Sequence, residues 1–155
     1  MKITILWPGR TRNSDIKRVE DFYLKKIGRM SKCELIITRE ARGIDERNEK
    51  KIKANEAKGL EKHFGKDYII CLAENGREMS SMSFASFLSN LKVRSGRDVV
   101  FVVGGFLGLD EGLLNRADLR LSLSKMTLSH ELIRPVLLEQ IYRSLAIMQG
   151  KNYAK

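Results

Sequence analysis

The chain has 155 residues, a formal net charge of +10 and a hydrophobic fraction of 43%. That length suits one domain with its own core, residues 1–155, and no run approaches the ~18 consecutive apolar residues a membrane span needs. Two cysteines, Cys33 and Cys71, are too few for a disulfide framework or a clustered zinc site, so both are read as buried reduced thiols.

Apolar runs alternate with helix-period segments along the chain. Residues 2–7 read as a first strand; they are too short for a signal-peptide core, and a cytoplasmic location is expected. Ser14 or Asp15 is expected to cap a helix to about Met30, with Ile16, Val19, Phe22, Tyr23 and Ile27 as its apolar stripe. Residues 33–38 form strand two. A charged helix over about 46–64 follows, with Ile52, Ala57, Leu60 and Phe64 on its thin apolar side.

Residues 68–73 are strand three, and Ser80 or Ser81 caps a helix carrying Phe84, Phe87, Leu88 and Leu91. Residues 98–103 are strand four, whose 99–103 stretch is a continuous apolar run of the kind buried on both faces of a parallel sheet. It ends in Gly104-Gly105-Phe106-Leu107-Gly108, where glycines admit a close backbone approach or a tight turn. Residues 110–115 make one helical turn and 119–123 strand five. A last helical segment spans Ser129 to about Gly150. Pro135 lacks the amide that would bond to the Glu131 carbonyl, so 129–134 is expected to be a separate turn leading into the helix. The alternation predicts a mostly parallel α/β sheet covered on both faces, with ligands at the carboxyl edge of its strands.

Several chemistries fail on spacing. Phe106 occupies the second glycine position of a dinucleotide fingerprint. Leu60 and Leu145 stand where a phosphate-binding loop needs glycine, and no nucleophile elbow occurs. Only His63 and His130 are present, so no metal site is expected. His130 lies four residues before Arg134, on the same face if that turn is helical. Residues 72–76, 104–105 and 125–130 follow three strands and converge on a pocket of backbone groups with few charges. Such a pocket suits an adenine with a thioether or sulfonium better than a triphosphate.

Charge adds a partner. Residues 1–66 hold 18 Lys and Arg against 10 Asp and Glu, which is +8 of the total +10. An excess of this size favours a polyanion such as RNA. Arg10, Arg12, Lys17, Arg18, Arg39, Arg42 and the lysines of 50–66 are the candidates to meet its phosphates.

The ordered set Gly104-Gly105-x-x-Gly108-Leu109, then Leu121-Ser122-Leu123-Ser124-Lys125-Met126-Thr127-Leu128-Ser129-His130, then Arg134 and Leu137-x-Glu139-Gln140-x-Tyr142-Arg143 resembles the RlmH family of SPOUT-superfamily methyltransferases. The resemblance implies a single α/β domain with a C-terminal trefoil knot, acting as a homodimer. It implies transfer of a methyl group from S-adenosylmethionine to N3 of a pseudouridine (position 1915) in 23S rRNA of the ribosome. By position, it implies cofactor contacts at Leu72, Ala73, Gly104, Gly105, Lys125, Met126, Thr127, Leu128, Ser129 and His130. Arg134, Arg143, His130 and Tyr153 are implied near the reacting base or the RNA. The chain departs from the family at its end, where Lys151-Asn152-Tyr153-Ala154-Lys155 lacks the family's two histidines. A non-catalytic rRNA-binding assembly factor with the same fold is the alternative, and an unknotted flavodoxin-like nucleotide binder is a third reading.

Overall fold

The computed structural model describes residues 1–151. Five strands form one all-parallel sheet in the order β2-β1-β4-β3-β5. They are β1 (Ile3–Pro8), β2 (Cys33–Thr38), β3 (Tyr68–Glu78), β4 (Val99–Val102) and β5 (Leu119–Ser122). The helices are α1 (Ser14–Gly28), α2 (Glu49–Glu61), α3 (Ser81–Ser95), α4 (Glu111–Leu114) and α5 (Ile133–Met148). Among the described residues no helix is long and apolar enough to cross a membrane.

Strand alternation divides the core into two layers. Ile3, Ile5, Val99 and Phe101 face α1, α3 and α5, meeting Ile27, Leu88, Leu137 and Ile141. Leu6, Val100 and Val102 face the other way, onto Ala57 and Leu60 of α2 and Leu113 of α4. β4 is buried at every position because both faces are covered, which is why it reads as an unbroken apolar run. Cys71 is buried and Cys33 half-buried; both are free thiols, and burial pushes their pKa values to about 12 and about 11.

Three boundaries differ from the sequence reading. The cap of α1 is Asn13, whose Oδ1 accepts from the amides of Asp15 and Ile16 at 3.0 Å each. Asn13→Ala should therefore cost about 1 kcal/mol in urea unfolding, the ordinary value of a lost N-cap. α2 begins at Glu49, capped by Asn48. β3 continues to Glu78: after Leu72 pairs with Leu121, residues 73–76 loop out, and Arg77 and Glu78 rejoin opposite Leu121 and Ser122. Gly76 sits where a Cβ would lie 2.7 Å from the Leu121 carbonyl carbon, so the rejoining strand needs glycine there.

The α1 stripe also differs. Ile27 is buried, but Val19 and Phe22 are 43% and 53% exposed, while Glu20 on the same side is buried. Pro135 lies in the first turn of α5, where an amide has no intrahelical partner to lose; the helix therefore begins at Ile133, and the separate turn, expected over 129–134, covers only residues 130–132.

Candidate functional site

The carboxyl ends of β3, β4 and β5 open into a cleft of about 630 Å³. Its walls are residues 72–75, 103–109, 121–124 and 126–128, with Leu114, His130 and Ile133. Among the described residues lining it, Glu74 is the one charged side chain. Among the described residues no lysine or arginine lines it, so a phosphate there would be desolvated without a cation from them to compensate. The surfaces offered are backbone amides and carbonyls on an apolar floor, with a carboxylate at the rim.

The turn after β4 forms the partition of the site. Gly108 donates its amide to the Gly105 carbonyl at 3.0 Å and holds φ of +82°, a left-handed value that favours glycine. A Cβ on Gly104 would lie 2.6 Å from the Gly108 carbonyl carbon, so the turn closes on itself only because Gly104 has none. A Cβ on Gly105 would lie 2.7 Å from Glu56 Oε2. Both glycines line the cleft with backbone; Gly104 is demanded by the Gly108 backbone packed behind it, whereas Gly105 has the end of the Glu56 side chain against it. Phe106 projects from the turn, 82% exposed.

On the far side of this turn is a second cleft of about 550 Å³. It shares Gly105, Phe106, Leu107 and His130 with the first. Its other walls come from Pro8, Arg12, the 40–46 loop, Ile52 and Glu56 of α2, and Glu131. Glu56 is 9% exposed; its Oε1 accepts from the Ala41 amide at 3.2 Å. Burial raises the Glu56 pKa, the Ala41 hydrogen bond opposes this, and the charge of Glu40 adds to it. The sequence reading missed Glu56. Its signal is legible: it lies four residues from both Ile52 and Leu60, on the helix face that is otherwise apolar.

Of the residues expected at the cofactor, Leu72, Ala73, Gly104, Gly105, Met126, Thr127, Leu128 and His130 converge on the first cleft. Lys125 and Ser129 share the loop but are turned to other tasks. Lys125 Nζ faces Glu78 at 3.9 Å, and Ser129 Oγ accepts from the Leu132 amide at 3.2 Å. His130 stands edge-on to Phe106, ring centroids 6.0 Å apart. Partial burial, then repulsion from Arg134, holds its pKa below the ordinary imidazole value; Glu131 and Glu40 oppose the shift.

The folded protein therefore binds a proton at His130 less readily than the unfolded chain does. Stability from this group is present above the ordinary imidazole pKa and is lost as pH falls through it towards the depressed value. An NMR titration of the His130 ring should show its midpoint below that of a free imidazole; a midpoint at or above it contradicts this environment.

The arginines separate. Arg134 is 1% exposed, and its guanidinium donates to the Pro8 carbonyl and to Thr11 Oγ1, both at 2.8 Å, while lying over the Trp7 ring. Its guanidinium lies in the interior rather than at the surface, with Nε left without a hydrogen-bond partner among the described residues. Arg143 pairs with Glu139 one turn back on α5, at 2.6 Å. Tyr153 lies outside the described residues.

Comparison with known proteins follows the same line. Residues 1–154 match a family described as "Predicted SPOUT methyltransferase". A ribosomal RNA large subunit methyltransferase H from Streptococcus equi is 35% identical over 159 residues, covering all of both chains. The protein of that name from Clostridium beijerinckii is also 35% identical over the full length of both. Among solved structures, a probable methyltransferase from Bordetella pertussis gives a TM-score of 0.59 at 12% identity, over 93% of this chain and 94% of that one. A probable methylase family protein from Haemophilus influenzae gives 0.57 at 14% identity, over 99% and 70%. These two share the fold. On the match to the family across nearly every residue, and on relatives aligned end to end, the chain belongs to the SPOUT methyltransferase family.

Proposed function

We propose that the protein transfers the methyl group of S-adenosylmethionine to N3 of a pseudouridine in 23S rRNA, at the position numbered 1915. The observation that carries this reading is the first cleft: roomy, lined among the described residues by a single charged side chain and no cation, and closed by backbone at three parallel strand ends. It fits an adenine and a positively charged sulfonium, with Glu74 at the rim to meet a cation. When bound, the cofactor supplies an electrophilic methyl group. Loop 125–130 would hold the adenine through its amides and carbonyls, and Leu72, Ala73, Gly104 and Gly105 would form the opposing walls. The substrate comes from the full-length relatives, which are named as methyltransferases of large-subunit ribosomal RNA.

Two further parts belong to the same proposal. A homodimer would bury the apolar groove between α1 and α5, where Val19 and Leu132 are 43% and 44% exposed beside Ile16, Pro135 and Val136. The C-terminal trefoil knot belongs to the same proposal, with β5 at the sheet edge and α5 packed against α1 and α3. Arg143 and Tyr153 stay as candidates near the base, and work on ribosomes would place the enzyme in the cytoplasm.

The test is incubation with labelled S-adenosylmethionine and ribosomes from a methylation-deficient strain, followed by mapping of the modified nucleotide. Label elsewhere, or none, overturns the reading. Calorimetry with S-adenosylmethionine separates it from a binding-only assembly factor, which has no use for the cleft. The basic surface adds a prediction. Lys17 and Arg18 are paired with Asp21 and Asp15 on α1, whereas Arg10, Arg12, Arg39 and Arg42 share one groove. Ribosome binding should weaken steeply with salt, and neutralising Arg10, Arg39 or Arg42 singly should reduce the log–log slope by about 1 each.

A further inference from the structure

We propose that the second cleft receives the target nucleotide and that Glu56 Oε2 accepts the N1–H of its base, the group that distinguishes pseudouridine from uridine. This deepens the methyltransferase reading and rests on it.

Group transfer requires donor and acceptor to touch, so the acceptor's cavity must adjoin the cofactor's. The second cleft does, across a wall only one turn thick at Gly105, Phe106, Leu107 and His130. A smaller cavity of about 280 Å³ also borders the first, at Leu121, Ser122 and Leu123, but among the described residues its lining has no charged group and it shares no residue with the arginine groove. The second cleft instead opens into the arginine groove, with which it shares Arg12, Glu40 and Arg42. Phosphates held along Arg10, Arg39 and Arg42 would bring a nucleotide to its mouth. There Phe106 offers an exposed ring for a base to stack on.

The carboxylates of this cleft are not equivalent. Glu40 pairs with Arg12 at 3.2 Å, Glu131 accepts from the amides of Arg12 and Asn13 at 2.7 and 3.1 Å, and Glu46 is exposed on the 40–46 loop, open to solvent. Glu56 is nine-tenths buried, and its Oε2 accepts no hydrogen bond from the described residues while lying against Gly105. An acceptor left open at the floor repels phosphate and attracts an N–H. It therefore selects the base edge over the backbone. A uracil-type ring has two such edges. N3 has to face the cofactor, because the methyl group arrives along the direction its hydrogen vacates. N1 is then the edge left for Glu56. In uridine N1 carries the ribose and has no hydrogen, so the carboxylate would be desolvated with nothing to accept.

The experiment is an NMR titration of the protein, its first cleft filled with S-adenosylhomocysteine, with pseudouridine 5′-monophosphate and with uridine 5′-monophosphate. The Gly105 and Ala41 amides and the His130 ring should shift with the first and bind the second at least about tenfold more weakly, as for a buried acceptor left unmade. Glu56→Gln should erase that preference, because its single carbonyl cannot serve both the Ala41 amide and the base. Phe106→Ala, at an exposed site that leaves the fold intact, should weaken both nucleotides roughly 5- to 150-fold, the range of one lost stacking contact. Equal binding of the two nucleotides by wild type, a preference that survives Glu56→Gln, or shifts confined to other surfaces overturns the site. Methyl transfer by wild type alongside any of these leaves the methyltransferase reading standing. Absence of transfer removes that reading, and the site with it.

Discussion

Gly104→Ala should lower affinity for S-adenosylmethionine by about 10- to 100-fold, read by calorimetry, while the circular-dichroism spectrum stays that of the wild type. The added methyl would sit 2.6, 2.8 and 2.9 Å from the carbonyl carbon, Cα and carbonyl oxygen of Gly108. These are all backbone atoms of one closed turn and cannot swing aside as a side chain would. Forcing one methyl into such a place costs about 1–3 kcal/mol in strain and displacement. The turn has to open, and opening it moves Gly105, Phe106 and Leu107, which wall both clefts. Gly28→Ala is the matched control: no atom lies within 4 Å of its added methyl, so cofactor affinity should not change, while the helical site should raise stability by about 0.4–1 kcal/mol. Unchanged cofactor binding in Gly104→Ala would mean that the turn does not shape the cleft.

The legible part of this molecule is the part written in hydrophobic period. β2 falls where its alternation and flanks place it, and β4 is unmistakable because burial on both faces removes every polar residue from it. Pro135 announces the start of α5 for a local reason, the missing amide. What was hidden depends on partners distant in sequence. Glu74-Asn75-Gly76 reads as the end of a strand, yet β3 resumes after it because β5 offers Leu121 and Ser122 as partners nearly 50 residues on. No local pattern carries that information.

The same holds at the site. The cofactor loop could be named from its motif, but Gly104 is packed against the backbone of Gly108 and Gly108 holds a left-handed φ, so their necessity is internal to the protein. Glu20 and Glu56 are each a single charge on an apolar helix stripe. That pattern is a sequence-level sign of a buried carboxylate, and in both cases the partner that explains it lies on another element.

Arg134→Ala should destabilise the protein by about 3–5 kcal/mol, the usual consequence of removing one member of a buried, hydrogen-bonded charge cluster. The guanidinium ties the end of β1 to α1 and α5. It donates to Pro8 O and Thr11 Oγ1, and Thr11 Oγ1 in turn donates to Glu20 Oε1 at 2.6 Å. Without it, a buried carbonyl loses its donor and the Trp7 face its cation. Glu20, only 1% exposed, also loses the arginine whose charge favours its ionised form.

Burial, the largest influence on Glu20, already raises its pKa, and the Thr11 hydrogen bond and the Arg134 charge hold the rise back. A raised folded-state pKa means the native protein binds this proton more readily than the unfolded chain, so the stability it confers is present at acid pH and lost as pH rises through the folded value. Removing Arg134 raises that value further. The deficit of the variant measured in urea should therefore be smaller below the ordinary carboxyl pKa and grow towards neutral pH. Arg134→Lys should fall between the two, since one ammonium keeps the charge but cannot span both acceptors and cover the indole. The salt slope of ribosome binding decides between a strut and an RNA contact. A strut leaves it unchanged in protein that remains folded, whereas a lost phosphate contact would lower it by about 1 with little change in stability.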